Sequence, residues 1–150
     1  MIHLTAGNMF EVDVEAIVNT VNLVGVMGKG VALECKKRFP EIMEPYQEAC
    51  RNETLRIGQV QVIPLVRPRG PKYIINFPTK VHWRRWSQVG YIESGLQSLA
   101  TEIIKYNISS VAIPPLGCGN GGLHWSQVSP LIQRFSECVP ETKLLVFEPD

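Results

Sequence analysis

Short runs of β-branched and apolar residues alternate along the chain with longer stretches whose apolar positions recur every three or four residues. The short runs predict strands over residues 2–6, 16–21, 60–65, 73–77, 110–114 and 144–147. Several, such as Leu144-Leu145-Val146-Phe147, are apolar without alternation, the pattern of a strand covered on both faces. The longest helical pattern spans residues 87–106. Ile92, Leu96, Leu99, Ala100 and Ile103 form its buried stripe, Ser87 is the expected N-cap, and Asn107 the left-handed residue past its end. A second helix opens near Gly30 and runs to Phe39, where Pro40 interrupts it; others follow over residues 41–51 and 126–138. This alternation predicts the α/β class: a three-layer α/β/α sandwich around a mixed, mostly parallel six-stranded sheet. No repeat or linker divides residues 1–150, so one domain is expected.

Composition narrows the function classes. With 150 residues, 45% hydrophobic and 19% charged, the chain is neither a disordered tail nor a strongly basic nucleic-acid binder. The net charge of +1 hides an uneven distribution. Residues 1–53 carry 5 basic and 8 acidic side chains, residues 54–92 carry 7 basic and none acidic, and residues 93–150 carry 3 basic and 6 acidic. A polyanionic partner is therefore expected at the middle segment. Cys35, Cys50, Cys118 and Cys138 form no C-x-x-C pair, and His3, His82 and His124 are scattered, so no metal site is expected. The thiols read as reduced, small packing groups. Apolar runs fall far short of the roughly 20 residues of a membrane span, and the N-terminus lacks a signal pattern. A cytoplasmic protein with no membrane partner is expected.

Two glycine-rich segments carry the candidate chemistry. Gly25-Val26-Met27-Gly28-Lys29-Gly30 and Gly117-Cys118-Gly119-Asn120-Gly121-Gly122 each follow a predicted strand and precede a helix. Glycine admits positive φ and close backbone approach, so successive N–H groups can point at phosphate oxygens, reinforced by the helix N-terminus behind them. Two such loops imply a diphosphate held between them. The first lacks the Walker spacing. The second fits G-x-G-x-x-G, but only 28 residues follow Gly122, too few for a complete dinucleotide dehydrogenase.

Three ordered motifs resemble the macrodomain family: Ile17-Val18-Asn19-Thr20-Val21-Asn22, Gly28-Lys29-Gly30-Val31-Ala32 and Ile113-Pro114-Pro115-Leu116-Gly117-Cys118-Gly119. Asn76-Phe77-Pro78-Thr79-Lys80 resembles, more narrowly, the subgroup of the DarG-type DNA ADP-ribosyl glycohydrolase antitoxins and the human terminal ADP-ribose protein glycohydrolase. Gly121 stands where the human relative has a catalytic aspartate, which brings the chain nearer the DarG type. The resemblance implies ADP-ribose binding with no cofactor. It places Asn8 and Met9 at the adenine, with Asn8 where most members have Asp, and Phe147 flanking the adenine or serving as a core aromatic. Asn19 and Asn22 fall at the distal ribose, or else bond local backbone. Gly28, Lys29, Gly30 and Val31 would enclose the diphosphate and distal ribose with Leu116, Gly117, Cys118, Gly119, Asn120, Gly121, Gly122 and Leu123.

Lys80 then has two readings: a solvated charge or phosphate contact, and a catalytic group that attacks or polarises the anomeric carbon of the distal ribose. The second requires a lowered pKa, for which Lys29, Arg84 and Arg85 are candidates. Arg67, Arg69, Lys72, Lys80, Arg84 and Arg85 lie close in sequence with Trp83 and Trp86 among them. The basic residues can track a nucleic-acid backbone while Trp83 and Trp86 stack unpaired bases, and Trp83, Arg84 and Arg85 are expected to bind nucleic acid; alternatively, the tryptophans pack beneath the long helix and the arginines pair with acids. The leading reading is removal of ADP-ribose from thymidine in single-stranded DNA by a monomer paired with a DarT-like transferase toxin. A hydrolase of ADP-ribosyl-glutamate esters, an ADP-ribose 1″-phosphate phosphatase and a non-catalytic ADP-ribose module are the alternatives. Because DarG-type proteins usually continue past the macrodomain, the resemblance also implies that residues 1–150 are a macrodomain excised from a longer antitoxin chain.

Overall fold

The computed structural model describes all 150 residues. Six strands, β1 (Ile2–Thr5), β2 (Ala16–Asn22), β3 (Gln61–Pro64), β4 (Tyr73–Lys80), β5 (Ser110–Ile113) and β6 (Lys143–Phe147), form one sheet. Four helices, α1 (Gly30–Arg38), α2 (Met43–Arg51), α3 (Val89–Lys105) and α4 (Trp125–Ser136), cover it. The order is β1-β6-β5-β2-β4-β3, parallel throughout except for β3 against β4. β2 and β4 are interior strands and almost wholly buried, which explains their unbroken apolar runs.

Alternate residues of each interior strand feed separate cores. Ala16 and Val18 of β2 pack with Ile75 and Phe77 of β4 against α3 and α4. Ile17 and Val21 pack with Ile74 against α1, α2 and the short turn between them, where Cys35, Tyr46 and Ile42 respectively are fully buried. α3 comes unusually close to β4 because its buried face carries Gly95: a Cβ there would lie 2.3 Å from the Phe77 ring.

Three sequence expectations are corrected. The α3 N-cap position is Gln88, which makes no side-chain cap; Ser87 lies outside the helix, its hydroxyl buried and unpartnered. Asn107 does take the left-handed conformation expected of it, with φ of 52°. Trp83 and Trp86 do not pack beneath α3, since they are 46% and 72% exposed. Among the free thiols, Cys138 is exposed rather than packed. No helix is long and apolar enough to cross a membrane.

From β2 the chain passes through α1 and α2 to the edge strand β3 and back to β4 on one side, and α3 then carries it across to β5 on the other. The loops at the carboxyl ends of β2 and β5 therefore diverge, opening the crevice where ligands bind in open α/β sheets.

Candidate active site

A cavity of about 720 Å³ fills that crevice, a volume within the usual range of small-molecule sites. Its walls are the ends of β2, β4 and β5, both glycine loops, and residues 83–86.

Asn22 organises the first loop. Its side-chain oxygen accepts from the Val24 and Val26 N–H groups at 3.1 and 3.3 Å, and its amide donates to the Val26 carbonyl at 2.8 Å. The buried Tyr46 hydroxyl lies 2.7 Å from the Asn22 carbonyl and 2.9 Å from its side-chain oxygen. Burial raises the Tyr46 pKa, keeping the hydroxyl a donor. Beyond this turn, Lys29 occupies the N-cap of α1 with no side-chain cap, and Gly30 follows at φ of +55°. The first N–H groups of α1 are thus left for a ligand.

The second loop is a tight turn through Gly119–Gly121, with Gly117, Gly119 and Gly122 all at positive φ. Leu123 N–H donates to the Gly117 carbonyl at 2.9 Å and Gly122 N–H to the Gly119 carbonyl at 3.0 Å. The two loops face one another: a Cβ on Gly30 would lie 3.8 Å from the Asn120 amide nitrogen.

Lys80 ends β4 at this edge. The β2–β4 register shifts after Val21, which pairs with Pro78, so that Asn22 pairs with Lys80 and Thr79 is left over. Such an irregularity changes where the next side chains point. The half-buried Lys80 ammonium donates to the Trp83 carbonyl at 3.4 Å. Desolvation by burial, and secondarily the Lys29 charge, lower its pKa below the ordinary lysine value. Arg84 and Arg85, the other two candidates for this effect, do not contribute to it. No Asp, Glu or His lines the cavity, and burial raises the Cys118 pKa, leaving its thiol protonated.

The structure brings together Asn22, the segment from Gly28 to Val31, Lys80, the segment from Trp83 to Arg85, and that from Gly117 to Gly121. Other predicted residues lie off the cavity wall. Asn19 is fully buried and donates to Asn76 at 3.0 Å; its own side-chain oxygen has no partner. Leu116 is buried, Gly122 sits against Trp86, and Leu123 forms a bridge with Cys118. Asn8 accepts the Phe10 N–H at 2.9 Å, while Met9 and Phe147 are buried; this group lies at the carboxyl ends of β1 and β6.

Of the basic residues, Arg67 is engaged elsewhere, bonded to Glu41 at 2.7 and 2.8 Å, whereas Arg84 and Arg85 have no acidic partner. Thr20, Val21, Val26, Ala32, Thr79, Pro114 and Pro115 also line the cavity without having been expected at a ligand, and Trp86, named in the sequence beside Trp83, joins the wall with it.

The Macro domain family model matches residues 18–132. The DNA ADP-ribosyl glycohydrolase of Mycobacterium tuberculosis is 46% identical over 99% of this chain, and that of Thermus aquaticus 47% over 99%. The chain spans only about two-fifths of the length of these curated relatives, 42% and 41%. The solved macrodomain of Mycobacterium tuberculosis DarG superimposes with a TM-score of 0.97 at 45% identity, covering 100% of this chain and 99% of that one. Thermosipho africanus DarTG, solved in complex with ADP-ribose, superimposes with a TM-score of 0.88 at 34% identity, covering 98% of this chain and 41% of that one. By family model, by identity across nearly its full length and by its α/β/α architecture, this chain belongs to the macrodomain family.

Proposed function

We propose that this domain is a DNA ADP-ribosyl glycohydrolase that releases ADP-ribose from thymidine in single-stranded DNA, with Lys80 as its catalytic residue. The observation that carries the reading is the position of Lys80, half-buried and with a lowered pKa, at a cavity bounded by two glycine loops. The loops supply uncharged N–H donors for the diphosphate, and Lys29 adds positive charge beside them. ADP-ribose held this way presents its distal ribose to Lys80, with the adenine directed toward Asn8, Met9 and Phe147.

The neutral Lys80 amine adds to the anomeric carbon as the bond from that carbon to the base nitrogen breaks. The base nitrogen keeps the electron pair and takes up a proton. The adduct opens to a Schiff base, which water hydrolyses to ADP-ribose and the free amine. With no carboxylate on the wall, Lys80 itself or water supplies the proton.

Trp83, Arg84 and Arg85 border the cavity on the acid-free segment and form the approach for the DNA strand. The curated relatives carry the DNA substrate in their names, and one from Thermosipho africanus is a transferase–glycohydrolase fusion protein, 37% identical over 88% of this chain. A DarT-like transferase is accordingly the proposed partner, and the domain is read as a cytoplasmic monomer.

The test is product analysis on a single-stranded oligonucleotide carrying ADP-ribose on thymidine. Free ADP-ribose and restored DNA from the unaltered protein, and neither from Lys80→Ala, support the reading. Turnover of ADP-ribosyl-glutamate but not of the oligonucleotide replaces it with the ester hydrolase.

A further inference from the structure

Trp86 is the most exposed tryptophan beside the cavity, and burial does not hold it in place. It is nevertheless fixed. The N–H of the adjacent Ser87 donates to the Gly121 carbonyl at 2.9 Å, tying this backbone to the glycine turn. The indole then rests against Gly122, where a Cβ would come within 2.5 Å of its ring. A side chain at position 122 would displace it.

Trp83 is differently committed. Its ring carries the Arg84 guanidinium at 4.6 Å and lies 5.1 Å from the His82 imidazole. Trp86 makes neither kind of contact, so its aromatic surface is open to solvent at the cavity that also holds Lys80.

We propose that Trp86 is the subsite for the nucleobase that carries ADP-ribose: the platform on which that base stacks while Lys80 acts on the ribose. An unpaired base offers a π-face whatever its identity, and a fixed, exposed indole is its natural partner. The anchoring by Gly121 and Gly122 links base and sugar recognition, since the turn that holds Trp86 also forms the cavity wall. The inference rests on the DNA reading of the substrate.

The test compares the unaltered protein, Trp86→Ala and Trp86→Phe on the modified oligonucleotide, with calorimetric binding of free ADP-ribose alongside. Stacking predicts that Trp86→Ala lowers kcat/KM by about 5- to 150-fold, that Phe recovers most of it, and that free ADP-ribose affinity falls by a much smaller factor. An unchanged kcat/KM overturns the platform, as does an equal loss of affinity for free ADP-ribose. If the unaltered protein binds ADP-ribose but does not process the oligonucleotide, the DNA reading fails and the platform falls with it, an outcome distinct from any effect of the Trp86 variants.

Discussion

The Lys80 ammonium donates to the carbonyl oxygen of Trp83 at 3.4 Å, so the reactive end of the lysine is held by a turn three residues further along the chain. That turn is itself fixed: His82 Nδ1 accepts the Arg84 N–H at 3.0 Å and the His82 carbonyl accepts the Arg85 N–H at 3.0 Å. Chemistry and strand approach are thus coupled through one short segment.

Lys80→Ala should lower turnover of the modified oligonucleotide by at least about 100-fold, the usual scale for losing a proton-transferring or nucleophilic group. Free ADP-ribose should still bind, measured by calorimetry. The folded pKa of Lys80 is lowered, so at neutral pH the folded state carries its charge at a cost that the unfolded state does not. Lys80→Met should therefore raise the melting temperature while abolishing turnover.

Only the neutral amine is nucleophilic, so kcat/KM should rise with pH and level off below the ordinary lysine pKa. The Lys29 charge contributes to that lowering, after desolvation. In Lys29→Met the midpoint of the pH profile should move up. An unmoved midpoint would leave burial as the whole cause.

Asn22→Ala removes the acceptor for the Val24 and Val26 N–H groups, the donor to the Val26 carbonyl and a partner of the buried Tyr46 hydroxyl. The expected loss is about 2–4 kcal/mol by urea unfolding. ADP-ribose affinity should fall too, because the loop from Gly28 to Val31 loses its support.

Gly95→Ala places a methyl group 2.3 Å from the Phe77 ring. Overpacking costs about 1–3 kcal/mol and outweighs the roughly 1 kcal/mol that Ala gains over Gly in a helix. Stability should fall despite the better helix former. Adding Phe77→Leu, which vacates the ring's outer atoms, should recover part of the loss in the double variant.

Arg84→Ala and Arg85→Ala should each weaken oligonucleotide binding and flatten its salt dependence by about 0.7 for every phosphate no longer neutralised. Arg67→Ala should leave that slope unchanged, because its guanidinium is occupied by Glu41. Fluorescence titration at several salt concentrations reads the slopes.

By itself the sequence determined the layers of this protein and the position of its loops. Strand and helix periodicity is local, and it located β2, β4, α1 and α3 to within two or three residues. Glycine spacing is local as well, because positive φ at Gly30, Gly117, Gly119 and Gly122 is a property of those residues. The tertiary structure decided what each polar group near the site does. The two asparagines of the Ile17–Asn22 motif look alike in sequence, yet Asn19 faces the partner strand at Asn76 and Asn22 ties a loop to Tyr46. The shift that pairs Asn22 with Lys80 arises only when β2 meets β4. Desolvation of Lys80 and the exposure of Trp86 likewise depend on segments far apart in the chain. Propensity and pattern act between neighbours along the chain, whereas burial, pairing and electrostatics act between neighbours in space.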